Sequence, residues 1–156
     1  MSEQEQGRPS AAGQTGMVAL LHVMVGSSAL LVRSSQIREV LRPHSLTPVP
    51  MGPAHLRGLA NIHGQIVCMI DIGKVTTIAA SDAAQTPRTR FLILRHESMH
   101  VGIQVDDVLG IKHISEADLA SADRVEGDIS VTRMTVDGHS FNILDCSPLL
   151  HAGTAI

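Results

Sequence analysis

The sequence predicts a mainly β protein made of two similar small β-barrels that share a hydrophobic seam. Three observations carry this. Short apolar runs rich in β-branched residues are separated by turn residues, the pattern of strands in barrels and sandwiches. No stretch of a dozen residues holds a 3.6-residue hydrophobic period, so long amphipathic helices are not expected. A faint internal repeat, with an offset of roughly 70 residues, lays the first half of the chain over the second.

In chain order, residues 1–16 are rich in Gly, Ser, Gln and Ala without a hydrophobic period, and read as a disordered tail. VALLHVMV, then Gly26-Ser27-Ser28, then ALLV reads as a hairpin. QIVCMIDI, FLIL, VGIQV and FNIL are further strands. Short helical turns fit Pro53-Ala54-His55-Leu56 and Ser115-Glu116-Ala117-Asp118, with Ser115 as the cap. In the repeat, Leu20, Leu21, Leu30, Val32, Ile37 and Val40 fall on Phe91, Leu92, Val101, Ile103, Val108 and Ile111 at one constant offset. A slightly longer offset lays Gly64-x₆-Asp71 over Gly138-x₆-Asp145, each spanning an apolar strand that ends in Asp. Halves this small do not bury enough surface to stand alone, hence the shared seam. The expected organisation is a tail at 1–16, one domain at 17–151 and a short C-terminal tail at 152–156.

Composition narrows the function. The 156 residues are 44% hydrophobic and 17% charged, enough apolar surface for a core and too little charge for disorder. Aromatics are only 1%, so Val, Ile, Leu, Met and Ala must build that core. The net charge of −3 comes without a basic stripe, which argues against phosphate-driven nucleic-acid binding and adsorption to anionic lipid. The stacking aromatics of single-strand binders are missing too. Two cysteines without a C-x-x-C spacing fit a reducing cytoplasm, and the polar N-terminus is not expected to act as a signal peptide.

His96-Glu97-Ser98-Met99-His100 spells H-E-x-x-H, the zinc-protease pattern. That chemistry needs a helix, on which both imidazoles share a face and the glutamate acts as general base. Here FLIL precedes and VGIQV follows, so the motif is expected in a hairpin connection, with Glu97 at an open tip. A zinc hydrolase is therefore the remote alternative, and neither a metal site nor a cofactor is expected. No G-x-S-x-G, P-loop or dinucleotide fingerprint occurs. Cys68 inside an apolar strand reads as a packed thiol, and Asp106-Asp107 as a polar strand end.

The segment IREVLRPHSLTPVPMGPAHLRGLANIHGQIVCMIDIGKV, residues 37–75, resembles the CheW-like domain, the chemotaxis adaptor module. Ile37-Arg38-Glu39-Val40-Leu41 matches the family's V-x-E-I/V-L, and Pro50 with Pro53 its P-x-x-P. Leu56 to Gly64 and Val67 to Ile72 match its V/L-x-G-V/L-x-N-L-R-G-x-I-V-P-V-I-D-L. Val101 to Val108 and Phe141 to Asp145, with Leu149-Leu150, resemble its later strand and closing segment. The likeness runs over about residues 17–151.

That resemblance implies two five-stranded β-barrels on a common core and a non-enzymatic scaffold. It also implies the partners: a CheA-type histidine kinase, through its regulatory domain, and the cytoplasmic tip of a chemoreceptor. No nucleic acid or membrane insertion is implied, and weak self-association is compatible with it. Ile37, Glu39 and His63 are the expected partner-binding residues, while Gly58, Asn61, Gly64, Asp71 and Asp106 are expected to hold turns. His63 stands where the family usually has arginine, exchanging a permanent planar fork for a shorter, mostly neutral ring. Cys68 replaces a usual proline, and Asp128-Ile129-Ser130-Val131 lacks a glycine, so that connection is expected to be remodelled. These departures leave a second possibility open, a relative that binds the kinase but no receptor, in a twitching or biofilm pathway.

Overall fold

The computed structural model describes residues 16–76, 84–127 and 130–154. Eleven strands and two helices occur there. They are β1 Met17–Val25, β2 Ser28–Arg33, β3 Ile37–Leu41, β4 Leu56–Ile62, β5 Gln65–Ile70, β6 Arg90–Leu94, β7 Val101–Val105, β8 Asp107–Ser115, β9 Asp123–Arg124, β10 Val131–Val136 and β11 His139–Leu144, with α1 Glu116–Ala120 and α2 Ser147–Thr154. One 3₁₀ turn, Ser34–Gln36, joins β2 to β3, and another, Ile72–Lys74, follows β5. Of the expected helical turns, the second is α1, capped by Ser115 Oγ, which accepts from the Asp118 amide at 3.1 Å. The first is a non-helical turn at Pro53–Leu56 leading into β4. α2 runs on to Thr154, three residues beyond the expected domain end. The tail at residues 1–15 lies outside the described residues, as do Asp128 and Ile129 of the connection expected to be remodelled.

The strands form two sheets rather than two closed five-stranded barrels. One has six strands in the order β9-β10-β11-β2-β1-β8, the other five in the order β3-β6-β7-β5-β4. Neither order closes on itself among the described residues. Beside the five-stranded sheet, Thr47 after β3 bridges to Leu59 on β4, bonded in both directions at 2.8 and 2.9 Å.

The internal repeat is present in the hydrogen-bond ladders. Read as β4-β5-β7-β6-β3 and β10-β11-β2-β1-β8, the two sheets have the same order with equivalent strands in equivalent places. In the parallel β5–β7 pair Cys68 stands opposite Val101, and in its β11–β2 counterpart Asn142 stands opposite Leu30. Glu39 opposite Ile93 is repeated as Gly110 opposite His22, and even the irregularity between Ile37 and Glu39 recurs beside His22 and Val23. The third strand of each half crosses over: β3 leaves β2 to pair with β6, while β8 leaves β7 to pair with β1. Neither half is complete without a strand from the other.

This exchange explains the seam. Val23, Leu30 and Val32 from the first sheet meet Ile70, Leu92, Leu94 and Ile103 from the second, with Leu144 and Leu149 closing the layer. The opposite faces bury two smaller clusters, Leu20, Leu31, Met134 and Ile143 on one side and Ile62, Met69, Phe91 and Ile93 on the other. Residues 91–94 of β6 and all of β7 are buried, which is why FLIL reads as an unbroken apolar run, whereas VGIQV keeps an alternating pattern even though Gly102 and Gln104 are buried too. Each fully buried Val, Leu, Ile or Phe among them contributes roughly 1.5–3 kcal/mol of burial.

Candidate partner-docking site

β3 is an edge strand, and near it the chain brings two of the three expected partner-binding residues together. His63 and Gly64, at φ 52° and 82°, form the two-residue turn between β4 and β5. Positive φ at both positions is the type I′ geometry whose twist suits a hairpin, and histidine tolerates it better than most residues. Asn61 Oδ1 fastens the turn by accepting from the Gly64 amide at 3.0 Å. The turn carries the His63 ring, whose side chain is 66% exposed, to the mouth of the sheet. There its Nε2 lies 2.9 Å from Glu39 Oε1 on β3. Arg38 adds a second, longer contact to Glu39, at 3.8 Å.

Ile37 is placed differently. It is 8% exposed and packs in the shared core, so its side chain offers little to a partner. The exposed apolar surface near the pair belongs to Val40, beside Glu39, and Ile66, just past the turn, at 42% and 56% exposure. Sequence reasoning passed over both, because an apolar residue in a strand looks like core. The available signal was their position in strands whose central residues already account for the core. Behind the pair, His44 stacks on Phe91 with 6.5 Å between centroids, and its Nδ1 is 3.1 Å from the Asn61 carbonyl.

The expected turn residues lie at backbone crossings. Gly58 is buried beneath the segment before Pro48, where an added Cβ would come within 3.0 Å of the Thr47 carbonyl oxygen and 3.2 Å of Leu46 Cβ. Asp71 accepts from the Gly73 amide at 3.0 Å and lies 3.4 Å from Arg57. Its repeat counterpart, Asp145, accepts from the Ser147 amide at the same 3.0 Å. Asp106 ties the two halves by accepting from the Gly26 amide at 2.6 Å.

Residues 95–100 connect β6 to β7 as a hairpin loop, so the H-E-x-x-H residues do not share a helix face. His96 Nδ1 accepts from the amides of Ser98 and Met99 at 3.1 and 3.0 Å, the work of a turn cap. Among the described residues no group of three or more potential ligands is placed to hold a metal.

The site is thus an exposed hydrogen-bonded histidine–carboxylate pair with apolar neighbours on a sheet edge, a surface suited to recognising protein. Comparison with known proteins places this two-sheet scaffold. Residues 19–153 match the CheW-like domain, and the chain belongs to that family of chemotaxis scaffold and adaptor proteins, which are not enzymes. It is 30% identical over 134 residues to Protein FrzA of Myxococcus xanthus, covering 81% of each chain. It is 25% identical to the chemotaxis protein CheW of Thermotoga maritima, over 84% of this chain and 86% of that one. The fold resembles that of the scaffolding protein TtCheW from Thermoanaerobacter tengcongensis, with a TM-score of 0.68, 19% identity, and coverage of 82% and 88% of the two chains. No helix among the described residues is long and apolar enough to cross a membrane.

Proposed function

We propose that this chain bridges the cytoplasmic tip of a methyl-accepting chemoreceptor and the regulatory domain of a CheA-type histidine kinase, working in the cytoplasm at receptor arrays. The observation that carries the reading is the Glu39–His63 pair on the β3 edge, flanked by exposed Val40 and Ile66. A partner that meets this edge gains apolar burial from the two aliphatic residues and orientation from the Glu39 carboxylate and the His63 ring. Ile37 supports the edge from beneath, Gly58, Asn61, Gly64 and Asp71 hold the turns of its sheet, and Asp106 holds the β1–β2 turn of the other.

The test is titration calorimetry of the full chain against a kinase regulatory domain and a receptor-tip fragment from the same cell, with Glu39→Gln alongside. Binding to both, weakened toward at least one by the substitution, supports the bridge. Binding to neither removes it. A second reading, docking to the kinase alone in a twitching or biofilm pathway, is favoured by one observation. His63 is a shorter donor than arginine, without its planar fork, and is already engaged by Glu39. It predicts kinase binding with no heat from the receptor fragment. Sedimentation velocity of the chain alone checks for weak self-association.

A further inference from the structure

The two halves end in equivalent mouths that the chain fills differently. In the first, Glu39 and His63 meet across the opening, and Leu41 and Leu46 pack against the cluster of Ile93, Val67 and Phe91. The ladder register fixes each counterpart in the second half: Gly110 for Glu39, Asp137 for His63, Lys112 for Leu41, His22 for Ile93 and Phe141 for Val67. The closing pair is gone, and three apolar residues near the mouth have become a lysine, a histidine and a phenylalanine.

What results is a cavity of about 340 Å³ lined by Ile111, Lys112, His113, Ile114, Asp137, His139 and Phe141. An added Cβ at Gly110 would meet nothing within 4 Å. Lys112 Nζ stands 5.3 Å over the Phe141 ring, and no ion pair among the described residues involves it. His22 meets Phe141 edge-on at 6.0 Å, and its Nε2 is buried without a hydrogen-bond partner. Burial, and then the neighbouring Lys112 charge, push the His22 imidazole below its ordinary range, toward the neutral ring. The pocket therefore holds a lysine ammonium above an aromatic floor, on the strand whose Gly110 stands in register where Glu39 stands in the other half.

We propose that this second mouth receives an acidic side chain of a partner protein, its carboxylate taking the place over Gly110 that Glu39 holds in the first mouth. Lys112 is its counter-ion, Ile111, Ile114 and Phe141 take a neighbouring apolar residue, and His113 and His139 border the opening. Asp137 is the opposing charge, and it limits affinity. Charge complementarity selects the occupant: a basic side chain would have to approach Lys112, and an uncharged one would leave the ammonium unpaired.

The test uses the full chain, labelled with ¹⁵N, and two capped five-residue peptides, one alternating leucine with glutamate and the other leucine with glutamine. With the glutamate peptide, amide signals of residues 110–114 and 139–141 move. The glutamine peptide binds at least about fivefold more weakly, the range expected when a charge-assisted hydrogen bond becomes neutral. Lys112→Gln, a substitution on an edge strand, keeps the rest of the spectrum and loses the preference for glutamate. Asp137→Asn tightens the glutamate peptide. Equal binding of the two peptides, an unchanged preference in Lys112→Gln, or no localised shifts at millimolar peptide would overturn the proposal. Neither kinase nor receptor enters the experiment, so its outcome is independent of the bridging function.

Discussion

Glu39 and His63, 24 positions apart in the chain, meet at 2.9 Å across the mouth of the five-stranded sheet, each delivered by a different backbone device. The register irregularity between Ile37 and Glu39 sets the position of the carboxylate on β3, while positive φ at His63 projects the ring from its turn. The pair is exposed, so its contribution to folding is small, under about 1 kcal/mol. Glu39→Gln and His63→Ala are therefore expected to leave the urea midpoint nearly unchanged. Glu39→Gln is expected to weaken the proposed docking at this edge, and His63→Arg to tighten it at pH 7, because the guanidinium supplies a permanent charge and a planar set of donors. Denaturation curves beside binding isotherms check both halves of the prediction. A large loss of stability in either first variant would show that the pair belongs to the fold instead.

Asp145 gives a pH dependence with a definite sign. Burial alone would raise its carboxyl, but hydrogen bonds from the Ser147 backbone, the Gln36 amide and the Ser147 side chain, aided by Arg33, outweigh that and hold it below the usual carboxylate range. A folded-state value depressed below the unfolded one means stability present above the unfolded value, about 3.9, and lost as pH falls through the folded value. Asp145→Asn keeps the Oδ1 acceptor but removes the titration. Urea midpoints from pH 6 down to 2.5 should therefore fall less steeply in the variant than in the native chain. Parallel curves would mean that Asp145 titrates alike in both states.

Much of this architecture is legible in the sequence, because repeated apolar runs carry position as well as burial. The constant offset from Leu20–Phe91 to Val40–Ile111 is the ladder register itself, with Leu21 opposite Val32 recurring as Leu92 opposite Ile103. Gly64-x₆-Asp71 and Gly138-x₆-Asp145 are two copies of one turn, strand and cap. The crossover of β3 and β8 is not legible, since a strand's pattern names its buried face and not the neighbour it pairs with. The same limit explains Ile37, whose alternation is identical whether it faces a partner or the shared core. The Glu39–His63 contact depends on a bulge and on φ at one turn residue, neither of which leaves a compositional trace.

Gly102 on β7 tests how tightly the smaller cluster is packed. An added Cβ there would lie 2.8 Å from Met69 Sδ, 3.0 Å from Ile93 Cδ1 and 3.1 Å from the Leu92 carbonyl oxygen. Met69 can swing its sulfur aside, but the carbonyl belongs to the adjacent ladder and cannot move without disturbing it. Gly102→Ala is expected to cost about 1–3 kcal/mol, the range for overpacking a filled core. Equilibrium urea unfolding measures this directly, and a neutral result would reveal slack between β6 and β5 across β7.

The two cysteines should separate by reactivity. Cys146 is buried at 1% exposure, and desolvation, with the Asp145 charge beside it, pushes its thiol up to about 12. Cys68 is only half-buried, and burial raises its thiol as well. Because the thiolate is the attacking species, both react more slowly than a free thiol, and Cys146 by far the more slowly. An aromatic disulfide reagent at pH 8 should modify Cys68 in the folded chain and reach Cys146 only through unfolding. The expected trace is one slow thiol without urea and two fast ones with it, and Cys68→Ser should abolish the first. A native burst from both thiols would mean that α2 opens away from the core, exposing Cys146 without global unfolding.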